Sequence, residues 1–271
     1  LLFCDVALPG LGAKFFESIL DATPECPQTR WNLAICEFLD RKYKSAFKNA
    51  EYRWQLQYQW GVPPKVAPKL TREDPIAGKR IYVYCEQGLG DTLQFVRFMS
   101  LYLNLGAELT LKVPEPLKSL VERSFPRVKV LTEDPHPGQH DYQVALLSLP
   151  YILRTSYETV PAPVRYIECS QGRLNHWKLE LGPKKRKRIA VAWSGAPGHK
   201  NDRNRSIVFS QFAKLFGVDA DFYCIQKGVP DEIVSVAPGN LTILDQRIQS
   251  FDDSAAVMAL CDLVISVDSS P

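Results

Sequence analysis

Several signals that would place a chain of this length in a familiar class are missing. None of its seven cysteines belongs to a Cys-x-x-Cys pair, which argues against a zinc site or a disulfide framework. Cys85 and Cys224 lie inside apolar runs, as reduced core cysteines of a cytoplasmic protein do. No apolar run is long enough to span a membrane, and no signal peptide is visible. A net charge of +3 is too small to indicate a nucleic-acid partner.

What is present is an ordinary globular composition. The 271 residues are 45% hydrophobic and 23% charged, which suits about two domains. The sequence opens at Leu1 rather than Met and stops at Pro271, just after an apolar run typical of a buried strand. We therefore expect a cytoplasmic protein without a membrane span, and a fragment truncated at both ends.

Residues 10–58 have the spacing of antiparallel helices, and we assign residues 1–58 to one helical segment. Apolar and aromatic residues recur at helical intervals and indicate a helical pair whose aromatic side chains are largely buried. The aromatic positions are Trp31, Phe38, Tyr43 and Phe47. The pair resembles one tetratricopeptide repeat (TPR), which needs neighbouring repeats to cover its face. The alternative is a plain helical hairpin packed on the next domain.

The rest of the chain alternates strands with helices. Residues 59–77 are rich in proline and are predicted to be a linker. Residues 78–165 and 189–271 then form two α/β units joined by residues 166–188, and the alternation predicts parallel, doubly wound sheets. The predicted strands are Ile81–Cys85, Leu109–Val113, Val128–Leu131, Val144–Leu147, Ile189–Trp193, Phe222–Ile225, 241–244 and Leu263–Val267.

The first strand leads into the turn Glu86-Gln87-Gly88-Leu89-Gly90-Asp91. Strand, glycine turn and helix follow in the order used at the first crossover of nucleotide-binding domains, although the third glycine of the dinucleotide fingerprint is absent. Gly88 and Gly90 permit positive φ. Asp91 takes the place of a helix N-cap, and its carboxylate is either only that cap or a base that faces the ligand.

A second cluster of candidate residues lies in the loop 194–206, after the first strand of the second unit. Its cations and its glycine amides predict an anion site suited to phosphate or diphosphate. The candidates are Gly195, His199, Lys200, Arg203 and Arg205. The alternative is a solvated loop in which Asp202 pairs with a neighbouring arginine.

Three further segments are considered for the same chemistry. Lys227 follows a strand of the second unit, and Asp268, Ser269 and Ser270 close the last strand, where hydroxyls can hold a phosphate. The basic run 184–188 fits either a nucleic-acid patch or a solvated turn before a strand, and we favour the turn.

Taken together, these motifs resemble bacterial TPR proteins with a carboxyl-terminal glycosyltransferase-like domain related to ADP-heptose heptosyltransferases. The segments that carry the resemblance are E-Q-G-L-G-D-T-L-Q-F-V-R-F, L-L-S-L-P, A-W-S-G-A-P-G-H-K-N-D-R-N-R-S-I, Q-K-G and D-L-V-I-S-V-D-S-S, with A-E-Y-R-W before them. They occur in the family's order over nearly the whole chain.

The resemblance implies a GT-B glycosyltransferase fold whose second unit is incomplete here, because the helix expected after Asp268-Ser269-Ser270 is absent. It implies that Asp91 is the base on the acceptor hydroxyl and that Lys200 contacts donor phosphate. We expect sugar transfer from a nucleotide-sugar to a glycan, lipid or protein acceptor, without metal or cofactor, with Asp91 and the loop facing one cleft. The alternative is a non-catalytic scaffold whose TPR-like helices bind a protein partner.

Overall fold

The computed structural model describes residues 8–56, 62–195, 198 and 202–270. The chain divides into two compact units, residues 1–114 with 127–164 and residues 115–126 with 165–271. Each unit contains one four-stranded sheet in which every pair of neighbouring strands is parallel. The predicted α/β class is therefore confirmed, while the finer division into a TPR-like segment, a linker and two domains stays a prediction.

The described part of unit 1 begins with three consecutive helices. They are α1 (Pro9–Ala22), α2 (Pro27–Leu39) and α3 (Tyr43–Ala50), followed by a 3-10 turn, Glu51–Gln55. Proline opens α1 and α2, where its missing N–H costs no helical hydrogen bond. Small and aliphatic side chains, among them Ala13, Leu33 and Cys36, fill the space between α1 and α2.

Three of the aromatic residues predicted to be buried in these helices pack against one another. Phe47 is buried, but Trp31, Phe38 and Tyr43 are half-buried. Phe38 packs edge-on against Phe47, with ring centres 4.9 Å apart, and Tyr43 lies 5.9 Å from Phe38. None of the four side chains is exposed, which agrees with the prediction that they are largely buried. The TPR assignment stays a prediction.

The described part of the proline-rich segment, residues 62–77, packs on the first sheet. Val66 and Leu70 are buried, and Lys69 forms a β-bridge with Gln143. The Gln143 side-chain oxygen accepts hydrogen bonds from the N–H groups of Val66 at 2.9 Å and Ala67 at 3.1 Å. This part of the chain is therefore a fixed strap on the sheet, which its composition did not predict.

The first sheet has the strand order β3-β2-β1-β4. Its strands are β1 (Arg80–Tyr84), β2 (Glu108–Lys112), β3 (Lys129–Leu131) and β4 (Tyr142–Ala145). Between residues 86 and 160 the chain forms the helices α4 (Leu89–Phe95), α5 (Met99–Asn104), α6 (Lys118–Ser124) and α7 (Leu149–Ile152). The same stretch contains 3-10 turns at Val96–Phe98, Glu115–Leu117, Leu146–Ser148 and Tyr157–Thr159. Ile81, Tyr82 and Val83 of the central strand are fully buried, as expected for a parallel strand covered on both faces.

The second sheet has the order β7-β6-β5-β8. Its strands are β5 (Lys187–Ala192), β6 (Ala220–Cys224), β7 (Leu241–Ile243) and β8 (Leu263–Ser266). Its helices are α8 (Gln171–Glu180), α9 (Asp202–Arg205), α10 (Phe209–Phe212), α11 (Asp231–Ser235) and α12 (Phe251–Ala259), with a 3-10 turn at Ala213–Gly217. All eight predicted strands are confirmed, with ends shifted by two residues or fewer.

Helix α6 belongs to unit 2. Ser119 donates a hydrogen bond to the Asp252 carboxylate at 2.7 Å, and Arg123 forms an ion pair with the same carboxylate. Behind α12, the indole N–H of the buried Trp177 donates to Asp253 at 2.8 Å. The two neighbouring aspartates at the start of α12 therefore connect this helix to α6 and α8 within the second unit.

Candidate functional site

The turn after β1 places Asp91 in the first turn of helix α4. The helix begins at Leu89, so Gly88 is the N-cap and Asp91 is the third helical residue. The Asp91 carboxylate turns back and accepts a hydrogen bond from the Gly88 N–H at 3.1 Å. Our prediction that Asp91 itself occupies the N-cap was wrong by three positions, because Leu89 and Gly90 already have helical geometry. The carboxylate still satisfies an N–H at the helix start, as in a capping box.

Neither glycine of this turn has a positive φ, and Gly88 leaves room for a neighbouring side chain. Gly88 has φ −68° and ψ 171°, and Gly90 is not among the described glycines with positive φ. A Cβ atom on Gly88 would lie 3.2 Å from a carboxylate oxygen of Asp91, closer than ordinary contact. Glycine at this position lets the carboxylate fold back onto the start of the helix.

A buried ionic cluster fixes the beginning of the same turn. Arg53 donates from Nη2 to Glu86 and to the Ser148 hydroxyl, both at 2.8 Å, and from Nη1 to Glu51 at 2.7 Å. The Ser148 hydroxyl donates to Glu51 at 2.7 Å. Burial raises the pKa of Glu86, although the neighbouring Arg53 opposes this effect. This cluster was not predicted from the sequence, in which only Glu86, a charged residue directly after an apolar strand, indicates it.

In unit 2, the described residues of the predicted anion loop include Arg205, whose guanidinium is held by its neighbours. Its Nη1 donates to the Asp268 carbonyl at 3.0 Å, and its Nε pairs with Asp202 at 3.3 Å. A Cβ atom on Gly195 would lie 2.5 Å from Nη2, so only glycine leaves room for the guanidinium in this position. Three predicted site residues, Gly195, Arg205 and Asp268, are thus brought together at the carboxyl end of β5. The pairing of Asp202 with an arginine, which we considered as the alternative, is present as well.

Two residues that the sequence analysis missed brace this loop. The side-chain oxygen of Gln226 accepts from the N–H groups of Trp193 at 3.1 Å and Ser194 at 2.9 Å. The Ser206 hydroxyl accepts from the Gly195 N–H at 3.0 Å and donates to Asp202 at 2.7 Å. Gln226 stands in the Q-K-G segment, of which we predicted only Lys227 as a site residue.

The lysine of that segment, Lys227, is engaged elsewhere. Its ammonium pairs with the Asp245 carboxylate at 3.0 Å and donates to the carbonyl of Ile248 at 3.0 Å. Burial opposes ionisation of Asp245, but hydrogen bonds from Lys227 and from the Val229 N–H lower the pKa of its carboxyl below the ordinary value. Lys227 thus anchors the segment after β7, and a role in phosphate binding stays a prediction.

The remaining site candidates are only partly described. Arg203 is exposed on α9. The Ser269 hydroxyl lies 3.4 Å from that of Ser266, and Ser270 is half-buried. His199 and Lys200 lie outside the described residues, so their predicted contacts with phosphate stay predictions.

Four of the five cations in the basic run 184–188 have partners within unit 2. Lys184 and Lys187 pair with Asp262, and Arg186 pairs with Asp219 at 3.3 Å and Asp221 at 2.5 Å. Arg188 is buried and donates to backbone carbonyls at the end of α8. The run therefore leads into β5, and three of its five cations, those of Lys184, Arg186 and Lys187, pair with carboxylates.

The structure is similar to the crystal structure of a glycosyl transferase family 9 protein from Veillonella parvula. The two match with a TM-score of 0.55 and 13% identity over 74% of this chain and 78% of that chain. The chain shares the fold of that glycosyltransferase. A second solved structure, E. coli ADP-heptose lps heptosyltransferase II, matches with a TM-score of 0.47 and 12% identity over 70% of this chain and 80% of that one.

In sequence, the chain is similar to protein FlbA of Caulobacter vibrioides. The two are 28% identical over 224 residues, which is 70% of this chain and 36% of FlbA. The chain thus spans about a third of the length of this curated relative. No family model matches the chain.

Two further observations concern metals and membranes. Within the described ranges, no group of three or more histidine, cysteine, aspartate or glutamate side chains has the arrangement of a metal site. None of the helices in those ranges is both long enough and apolar enough to cross a bilayer.

Proposed function

We propose that the protein is a glycosyltransferase of the GT-B type that moves a sugar from a nucleotide-sugar donor to an acceptor hydroxyl. The fold shared with a family 9 glycosyltransferase supports this proposal. The observation that carries it is the Arg205 guanidinium, held against Gly195 at the carboxyl end of β5. Ligands of open parallel sheets bind at this edge.

In this reaction unit 2 binds the donor. As the bond from the sugar to the diphosphate breaks, negative charge develops on the leaving phosphate. A guanidinium already fixed by Asp202 and the Asp268 carbonyl stabilises that charge without having to reorganise. We propose that the neighbouring Lys200 and Arg203 add to this stabilisation, so that neither a metal ion nor a cofactor is needed.

Unit 1 supplies the base. The Asp91 carboxylate removes the proton from the acceptor hydroxyl while the hydroxyl oxygen attacks the sugar carbon. Its hydrogen bond from the Gly88 N–H uses one carboxylate oxygen and orients the group. We propose a glycan, lipid or protein acceptor, with the TPR-like helices as a surface for a protein partner.

The test is turnover and binding with a panel of nucleotide-sugars, using the full-length protein with and without EDTA. We expect one nucleotide-sugar to bind and to be consumed when acceptor is present, with no loss of rate in EDTA. An absence of binding across the panel would overturn the proposal and favour the non-catalytic scaffold. A rate abolished by EDTA and restored by a divalent ion would overturn metal independence alone.

A further inference from the structure

A concave basic pocket in unit 1 plays no part in the proposed transfer reaction. It has a volume of about 520 Å³ and lies where α2 turns into α3, facing the 3-10 turn Tyr157–Thr159. Five cationic side chains line it together with a single carboxylate, that of Glu158. The cations are Arg41, Lys42, Lys44, Lys48 and Arg72.

The charge of this basic pocket is poorly neutralised by the residues that the structure describes. Lys42 pairs with Asp40 at 3.3 Å, but the other four cations form no ion pair within the described ranges. The Glu158 carboxylate accepts from the Ser156 hydroxyl at 2.7 Å. The run 184–188 differs, because three of its cations, those of Lys184, Arg186 and Lys187, pair with carboxylates. A concave surface with uncompensated positive charge attracts anions.

Aromatic rings hold the two arginines in place. The Arg41 guanidinium lies 5.1 Å from the centre of the Tyr157 ring, and that of Arg72 lies 4.8 Å from the centre of the Tyr151 ring. The buried Arg72 Nε has no hydrogen-bond partner among the described residues. Stacking of this kind restricts a guanidinium without consuming its N–H donors. The arginines are therefore positioned before any ligand arrives.

Arg41 keeps its side chain at a conformational cost. Its φ of 61° is in the left-handed region, at the end of α2, where the Lys42 N–H donates to the Glu37 carbonyl at 2.8 Å. Glycine is the usual residue in such a helix-ending position, because the Cβ atom of an L-residue causes strain there. Arg154 has the same conformation, with φ 55°, but does not line the pocket.

We propose that this pocket binds a small ligand that carries two or more phosphate groups. Planar guanidinium forks and flexible ammonium groups together suit clustered phosphate oxygens, and the volume is that of a small-molecule site. The site lies within unit 1 and is separate from the Arg205 loop of unit 2. It does not depend on the proposed transfer reaction.

Inorganic pyrophosphate, titrated by calorimetry at fixed ionic strength, is a suitable probe. The protein carries Arg205→Ala throughout, so that the proposed donor site does not contribute.

We compare Arg41→Gly with the matched control Arg154→Gly. Both changes relieve left-handed strain, so both variants should unfold at the same or higher urea concentration. Only Arg41→Gly should weaken pyrophosphate binding, by about tenfold or more, since it alone removes a charged donor from the pocket.

A second variant, Lys48→Gln, changes one exposed cation on α3 and should also weaken binding. Equal pyrophosphate affinity in Arg41→Gly and Arg154→Gly would overturn the proposal. Binding no tighter than that of chloride at the same ionic strength would do so too. Tighter binding of an oligoglutamate peptide than of pyrophosphate would overturn the phosphate assignment in favour of an acidic peptide.

Discussion

The Arg53 guanidinium donates to the Glu86 carboxylate at 2.8 Å, and each side chain is only 2% exposed. Arg53 closes the helical segment, whereas Glu86 follows β1 and precedes Asp91 by five positions. Their contact makes the helical segment part of the support for the turn that carries the proposed base. The helices are therefore a structural component of unit 1.

We predict that Arg53→Met strongly destabilises the protein. The change leaves the Glu86 carboxylate buried without a cation and leaves Glu51 only its ion pair with Lys69 at 3.6 Å, a loss of about 3–5 kcal/mol in the free energy of unfolding. Adding Glu86→Gln should restore part of this loss, because it removes the uncompensated buried charge. Urea unfolding of the two single variants and of the double variant measures the coupling between these residues.

The control is Arg80→Met, which breaks the ion pair with Asp141 on the surface. Those side chains are 50% and 31% exposed, so little change in stability is expected. If Arg53→Met and Arg80→Met had equal effects, the buried cluster would not support unit 1 in the way described.

Asp262 gives a prediction for acidic pH. Its pKa is lowered to about 2, first by the hydrogen bond from Lys184 and then by that from the Arg188 N–H. A carboxyl whose pKa is depressed by folding stabilises the protein above its ordinary pKa of about 3.9, and this contribution disappears as the pH falls towards 2. Asp262→Asn should therefore be less stable than the parent at about pH 7 and equal to it near pH 2.

Urea unfolding at several pH values tests this expectation. The control is Asp219→Asn, since the Asp219 side chain is 87% exposed and should contribute little at any pH. A constant stability difference between Asp262→Asn and the parent across this range would contradict the role given to Asp262.

Gly195→Ala should weaken donor binding without unfolding the protein. The added Cβ would lie 2.5 Å from Arg205 Nη2, and the flexible arginine side chain can move away. Loss of its fixed position should lower nucleotide-sugar affinity by about tenfold, as one charge-assisted contact is lost. Calorimetry measures this, with Gly172→Ala as the control because a Cβ there meets no atom within 4 Å. Parental affinity in Gly195→Ala would show that the Arg205 position does not matter for the donor.

The sequence predicted the strands well, because each buried parallel strand is a short apolar run with clear boundaries. Ile81, Val83, Val191 and Phe222 are such residues, and all are buried in their sheets. The contact of Gly195 with the Arg205 guanidinium was not predicted, and a role of Gly195 in binding a ligand stays a prediction.

Contacts between residues distant in the sequence could not be read in this way. Arg53 and Ser148 are 95 positions apart and form a buried hydrogen bond that has no local pattern. The composition of residues 59–77 does not reveal the pairing of Lys69 with Gln143, because this pairing depends on the folded sheet. The position of Asp91 was misplaced because a helix can begin before the first residue with a capping side chain.

The central claim is that the Asp91 carboxylate acts as the base in sugar transfer, and Asp91→Asn tests it most directly. Asparagine keeps an oxygen that can accept from the Gly88 N–H, but it cannot take a proton.

Asp74→Asn is a matched control, because Asp74 likewise accepts from a backbone N–H three residues earlier, that of Thr71, at 2.8 Å. The measurement is turnover and nucleotide-sugar affinity of both variants in the full-length protein. We predict that Asp91→Asn lowers turnover by about 10²–10⁴-fold with donor affinity retained, while Asp74→Asn changes neither. Parental turnover in a folded Asp91→Asn protein would contradict the account and leave Asp91 as a helix cap.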